Sequence, residues 1–301
     1  FLLCNLYNYG KYPVTDATPS GRSFFTAPPS LHPLFLEHFQ QMLETFKAKG
    51  MQILPSLIDF GAIYPRKGAG GGRTSIATSQ RQRFLETVVM PMVNLSTGFR
   101  ESIYAWEVVN EPYWNILGAF GVSRPHTTDS GPDLAPEVYA SFINDILGIF
   151  ERAGFASTVG HRFFEDLTDG ALPVGTLPQF HYYPKWNRYL PNLGPLRSDP
   201  TTLPERDELS KLARTKNAFI GEFATDFSHD SPWKECKGAD TTAEGRTFER
   251  LKLIAQKGYK LAFLWPDLPD QDKDDALRLS PATQASLKRF TTGLFPNGIP
   301  P

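Results

Sequence analysis

Two glutamates occupy positions from which chemistry can be done. Glu111 follows Asn110 and precedes Pro112 at the end of the apolar run Ile103–Val109. Glu222 lies in Gly221-Glu222-Phe223 at the end of the run Asn217–Phe223. Two carboxyls at one site can divide the work of breaking a glycosidic bond. One, protonated, donates to the leaving oxygen; the other, ionised, attacks or activates water. That division requires environments that push the two pKa values apart. Suitable neighbours are present: Asn110 can hydrogen-bond sugar hydroxyls, and a tyrosine hydroxyl from Phe180-His181-Tyr182-Tyr183-Pro184 can hold an ionised Glu222. Trp106, Trp114, Trp186, Trp233 and Trp265 lie in or near these segments, and an indole face is a platform for the apolar face of a sugar ring. Trp106 sits inside a strand run and reads as core. Trp114 and Trp186, on loops, suit a platform or a packing role alike.

The elements that must carry these residues follow from hydrophobic period. Short apolar, β-branched or aromatic runs alternate with longer helical patterns, the signature of βα units. The predicted strands are Phe1–Leu6, Met51–Phe60, Ile103–Val109, Phe155–Gly160, Leu177–Tyr183, Asn217–Phe223 and Tyr259–Trp265. Between them, Leu34, Phe35, Phe39, Met42, Leu43 and Phe46 mark a helix that Gly50 ends. Phe84, Leu85, Val88, Val89 and Met92 mark another, capped by Ser79 and kinked by Pro91. Pro136 opens a helix burying Phe142, Ile143, Ile146, Leu147 and Phe150, and Gly154 closes it. Further helices are expected around Glu205–Arg214, over Thr242–Lys257, and from Ser280-Pro281 onward. An α/β barrel and an open doubly wound sheet both accept this pattern. The sheet's usual GxGxxG turn is absent, which favours the (β/α)8 barrel. In a barrel the active site lies at the C-terminal strand ends, where Glu111 and Glu222 are three βα units apart at about 37 residues per unit.

Composition closes off other classes. Lys plus Arg number 31 against 32 Asp plus Glu, with no basic run to grip nucleic acid. The longest apolar stretches fall far short of the roughly 20 residues that span a bilayer. Two cysteines, Cys4 and Cys236, do not make a disulfide scaffold. The Gly-rich Gly68–Gly72 lacks the Lys-Ser/Thr ending of a phosphate loop and reads as a surface loop. The acidic stretch PDLPDQDKDD lacks the glycine and terminal glutamate of a calcium loop. His32, His38, His126, His161 and His229 show no zinc spacing. No metal and no organic cofactor is expected.

With these residues in view, a resemblance becomes specific. WEVVNEP at Trp106–Pro112, FHYYP at Phe180–Pro184, IGEF at Ile220–Phe223 and the strand-final Trp265 resemble the clan A glycoside hydrolases, and most of all family 5, the cellulase and mannanase family. The resemblance implies that Asn110 binds the 2-hydroxyl beside the cleaved bond, that Glu111 is the general acid/base and that Glu222 is the nucleophile. It implies that His181 and Tyr183, in the family's His-x-Tyr pattern, line the site with Tyr183 near the nucleophile, and that Trp265 floors the subsite of the sugar being cleaved. The implied reaction is a retaining double displacement on a β-linked glycan of the β-1,4-glucan or mannan type. The other reading is a non-catalytic carbohydrate-binding barrel.

Two departures mark an outlying member. The family's Arg near the start of its second strand is missing at the corresponding run FLLCNLYNYG, with none before Phe1, and Asp59 or Phe60 stands about where the family has a His. Seven strands are found where a barrel needs eight, so either a βα unit is expected before Phe1 or the barrel closes in an unusual way. With no composition break, residues 1–301 read as one catalytic domain. It is expected to act as a monomer, without nucleic acid or membrane partners. The absence of a leader fits a cytoplasmic protein or a processed one, and a secreted or periplasmic location is favoured.

Overall fold

Leucines and phenylalanines recurring every three to four residues need one side of a helix buried, and the first helix meets that need with Phe35, Phe39 and Leu43. The computed structural model describes residues 31, 34–58, 66–67, 73–74, 76–78, 80–115, 135–168, 170–182, 217–224, 243–265 and 281–294. The expected strand Phe1–Leu6, the expected helix at Glu205–Arg214, Cys4, Cys236, Tyr183, Trp186 and Trp233 lie outside these residues. The chain divides into two compact units, one running to Gln179 and the other from Phe180 onward, with residues 120–122 grouped with the second.

In the first unit, α1 (Phe35–Ala48) ends at Gly50, whose φ of +61° is a conformation that suits glycine. Leu34, expected on the buried face, instead precedes the helix and is 47% exposed. Two short strands, β1 (Arg66–Lys67) and β2 (Arg73–Thr74), pair antiparallel on either side of the Gly-rich Gly68–Gly72. Next come α2 (Arg81–Phe84), a π-helical turn over Leu85–Val89 and α3 (Met90–Ser96). Pro91 has no N–H to give the Thr87 carbonyl, and the turn before it opens so that Met90 N–H reaches Leu85 O. The kink expected at Pro91 thus takes the form of a widened turn.

The run expected as the strand Met51–Phe60 bridges in parallel from Ile53 to Ile103 and from Ser56 to Glu107, and backbone hydrogen bonds join Ile53, Pro55, Leu57 and Ile58 to Ser102–Asn110. β3 (Trp106–Asn110) pairs parallel with β4 (Ser157–His161), and the register shifts between Glu107 and Asn110. α4 (Pro136–Arg152), opened by Pro136, connects them and buries Tyr139 with the five expected residues, before Gly154 ends it at φ +80°. Trp106, read as core, is fully buried and stacks on Phe150 at 4.7 Å, with Phe39 at 5.8 Å on the α1 side. Such aromatic pairs add about 0.5–1.5 kcal/mol each beyond their area. They tie α1 and α4 to the strand that carries Asn110.

α5 (Phe164–Thr168) is a short helix after β4, and β5 (Gln179–Tyr182) begins in the first unit and continues in the second. In the second unit β6 (Phe219–Ala224) pairs parallel with β7 (Ala262–Trp265), and Phe219 meets Phe263 edge-on at 6.1 Å. α6 (Ala243–Gln256) and α7 (Pro281–Leu294) pack through Phe248 and Phe290, with the Arg289 guanidinium 4.0 Å above the Phe248 ring. Among the described residues no helix is long and apolar enough to cross a membrane.

Candidate active site

The first unit delivers Asn110 and Glu111. Asn110 is the last residue of β3, is 6% exposed, and its N–H donates to Ile58 O at 2.7 Å. Glu111 leaves the strand in the left-handed region at φ +49°, which for a residue with a Cβ costs about 1–2 kcal/mol. That conformation persists because its surroundings hold it. The Glu111 N–H donates to Gly160 O at 2.7 Å, and the next residues form a 3-10 turn, Pro112–Asn115. Tyr113 anchors this turn: it is 2% exposed, its hydroxyl donates to Asp166 O at 2.9 Å, and its ring lies 5.8 Å from the buried ring of His161. Glu111 itself is only partly buried.

Behind that turn lies an ion pair that hydrophobic period does not flag. Arg162 and Asp166 are both buried and joined by two hydrogen bonds, 2.8 and 3.1 Å, and the guanidinium sits 5.5 Å from the centres of the Tyr113 and Phe163 rings. Losing one partner of a buried pair strands the other charge at a cost of about 3–5 kcal/mol. Asp166→Asn is therefore expected to lower unfolding stability by an amount near that range in a denaturant titration. A loss below 1 kcal/mol would mean that the pair is not what holds the Tyr113 turn.

The second unit delivers His181 and Glu222. His181, on β5, is 1% exposed, and its Nδ1 stands 3.4 Å from Glu222 Oε2 on β6. Glu222 is 7% exposed. The ring nitrogen thus faces the carboxylate, with both side chains buried. Tyr182 is buried, while Tyr183, the expected partner, lies outside the described residues together with Trp186. Trp265 ends β7, and Trp114, expected on a loop, falls in the 3-10 turn after Glu111. Of the expected residues, Asn110 and Glu111 are thus adjacent in one unit, and His181 and Glu222 are paired in the other.

Sequence reading missed Glu107, Gln179 and the Arg162–Asp166 pair. Glu107 is 1% exposed in the middle of β3, where its carboxylate accepts from the Gln179 amide, itself fully buried. The available signal was a charged residue inside an otherwise apolar run, which is rarely buried without a partner.

No family model matches the chain, and no curated protein matches it. Solved structures do resemble it. The β-mannanase of the blue mussel Mytilus edulis superposes with a TM-score of 0.55 at 15% identity, covering 87% of this chain and 73% of that one. A β-glucuronidase of Bifidobacterium dentium gives 0.51 at 12% identity over 92% of this chain but only 41% of its own. A GH5_18 protein of Bifidobacterium longum subsp. infantis gives 0.50 at 11% identity, covering 89% and 67%. At these identities the likeness is one of fold, and the fold is the parallel α/β barrel class expected from the alternation of strands and helices.

Proposed function

We propose that this chain is a retaining β-glycoside hydrolase acting on a β-linked oligo- or polysaccharide of the glucan or mannan type. The observation that carries the reading is the pair of strand-end glutamates. Glu111 is held in a left-handed conformation beside a buried Asn110, and Glu222 faces His181 at 3.4 Å. The fold shared with a β-mannanase and a β-glucuronidase supports the same class.

In this mechanism Glu111 and Glu222 act on the same glycosidic bond. Glu111 protonates the leaving oxygen while Glu222 attacks the anomeric carbon. The bond to the aglycone breaks, a covalent glycosyl-enzyme forms, and Glu111, now ionised, draws a proton from the water that hydrolyses it. Such a double displacement requires the two carboxyls about 5–5.5 Å apart. Asn110 binds the 2-hydroxyl, Tyr183 and His181 order the nucleophile, and Trp265, Trp114 and Trp186 are the aromatic platforms. Neither metal nor organic cofactor enters any of these steps.

The test is reducing-sugar release across a panel of β-mannan, β-glucan, xylan and galactan, with the product anomer followed by NMR. Release from at least one glycan, with the β-anomer appearing first, is expected. Glycan binding with no hydrolysis, and no trapping by a mechanism-based fluorosugar, would establish the binding protein instead.

A further inference from the structure

The first unit holds a polar cluster that the proposed reaction does not use directly, beneath the residues that it does. Glu107 lies three positions before Asn110 on β3 and is 1% exposed, with its Oε2 accepting from Gln179. Facing both is Gly160 on β4, the register partner of Asn110. A Cβ on Gly160 would stand 2.7 Å from Glu107 Oε2 and 3.1 Å from Asn110 Oδ1. The space that a side chain would fill is therefore already bordered by those two oxygens. The same glycine's carbonyl accepts the N–H of Glu111 at 2.7 Å. Asn110 and Glu111 thus rest on one residue, and Glu107 is wedged beside it.

We infer that Glu107, locked by Gln179 and admitted by the missing side chain of Gly160, is the positioning residue that sets where Asn110 and Glu111 point. A methyl group at 160 has no free space, because contacts under 3.0 Å force the neighbour to move. The contact under 3.0 Å is with Glu107 Oε2, so a methyl group there pushes the Glu107 carboxylate off its place beside Gln179, and Asn110 Oδ1, 3.1 Å away, must give as well. Displacement of about 1 Å at an acid/base lowers turnover while leaving remote binding intact. The inference deepens the hydrolase reading and rests on it.

The experiment compares Glu107→Gln, Gly160→Ala and the double variant with wild type on the responsive glycan and on aryl β-glycosides of graded leaving-group acidity. Expected is a fall in kcat of at least tenfold on the glycan, with KM within about twofold. The loss should shrink steadily as the leaving group becomes more acidic, since a good leaving group needs little help from Glu111. The double variant should be no worse than the weaker single one, as expected when both act through one contact. A fluorosugar should still label the variants, which shows a folded site. Equal losses on every leaving group, or wild-type rates in both single variants, would overturn the inference while leaving the hydrolase reading intact. An inactive, unlabelled wild type would instead overturn that reading. Should Glu107→Gln fail to fold, Gln179→Glu, which sets a second carboxyl against the first, must give the same leaving-group dependence.

Discussion

Replacing Glu222 by Gln is expected to lower turnover of the responsive glycan by about 10⁴-fold, equivalent to about 5.5 kcal/mol of barrier. The amide keeps the shape of the carboxyl and its neighbour His181, so the unfolding midpoint should move little. What is lost is the attacking oxygen's charge, without which no glycosyl-enzyme forms. Leaving-group activation should not restore it, because a better leaving group does nothing for an absent nucleophile. A fluorosugar should label the wild type at Glu222 and leave Glu222→Gln unlabelled in a peptide-mass measurement. Wild-type rates in this variant on every β-glycan would remove the double displacement altogether.

Glu111→Gln should behave differently, and the contrast carries as much weight as either loss. On the glycan, kcat is expected to fall by about 10²–10⁴-fold, the usual worth of a positioned general acid. On a dinitrophenyl glycoside the first step needs no proton, so glycosyl-enzyme should accumulate as an initial burst and stall, because the base for water is missing. Azide, a nucleophile that needs no deprotonation, should then speed turnover and give a β-glycosyl azide. Gln is no more strained than Glu at φ +49°, so the turn itself should survive the change. Equal losses across leaving groups, with no azide product, would make Glu111 a structural residue.

Much of this was legible in the residues. Pro136, Gly154 and the apolar spacing over Phe142–Phe150 located α4 because each acts locally, through a fixed φ, a permitted positive φ and one buried stripe. Asn110, Glu111 and Glu222 could be singled out because a polar group ending an apolar run is conspicuous. The strand at Met51–Phe60 could be read because it is a short continuous apolar run: residues 53–58 are buried, and Ile53, Pro55, Leu57 and Ile58 exchange backbone hydrogen bonds with Ser102–Asn110 in parallel. Glu107 and Gln179 were hidden. β3 is buried along its whole length, so the alternation that would flag an inward carboxyl never appears. The Arg162–Asp166 pair has an ordinary i, i+4 spacing, and only its burial distinguishes it from a surface ion pair.

The widened turn at Leu85–Val89 has a meaning beyond the proline that follows it. The buried residues run 84, 88, 92, 96 and 85, 89, 93, a repeat of four where an α-helix has 3.6 residues per turn. In an unbroken α-helix such a stripe would wind about 40° further round at each repeat, turning Ser96 well away from the side that Phe84 buries. A turn with more residues winds the stripe back and keeps both ends against the same core. The sequence thus sets the pitch of this helix through the spacing of its apolar residues, and Pro91 occupies a place where the regular ladder had already to give way.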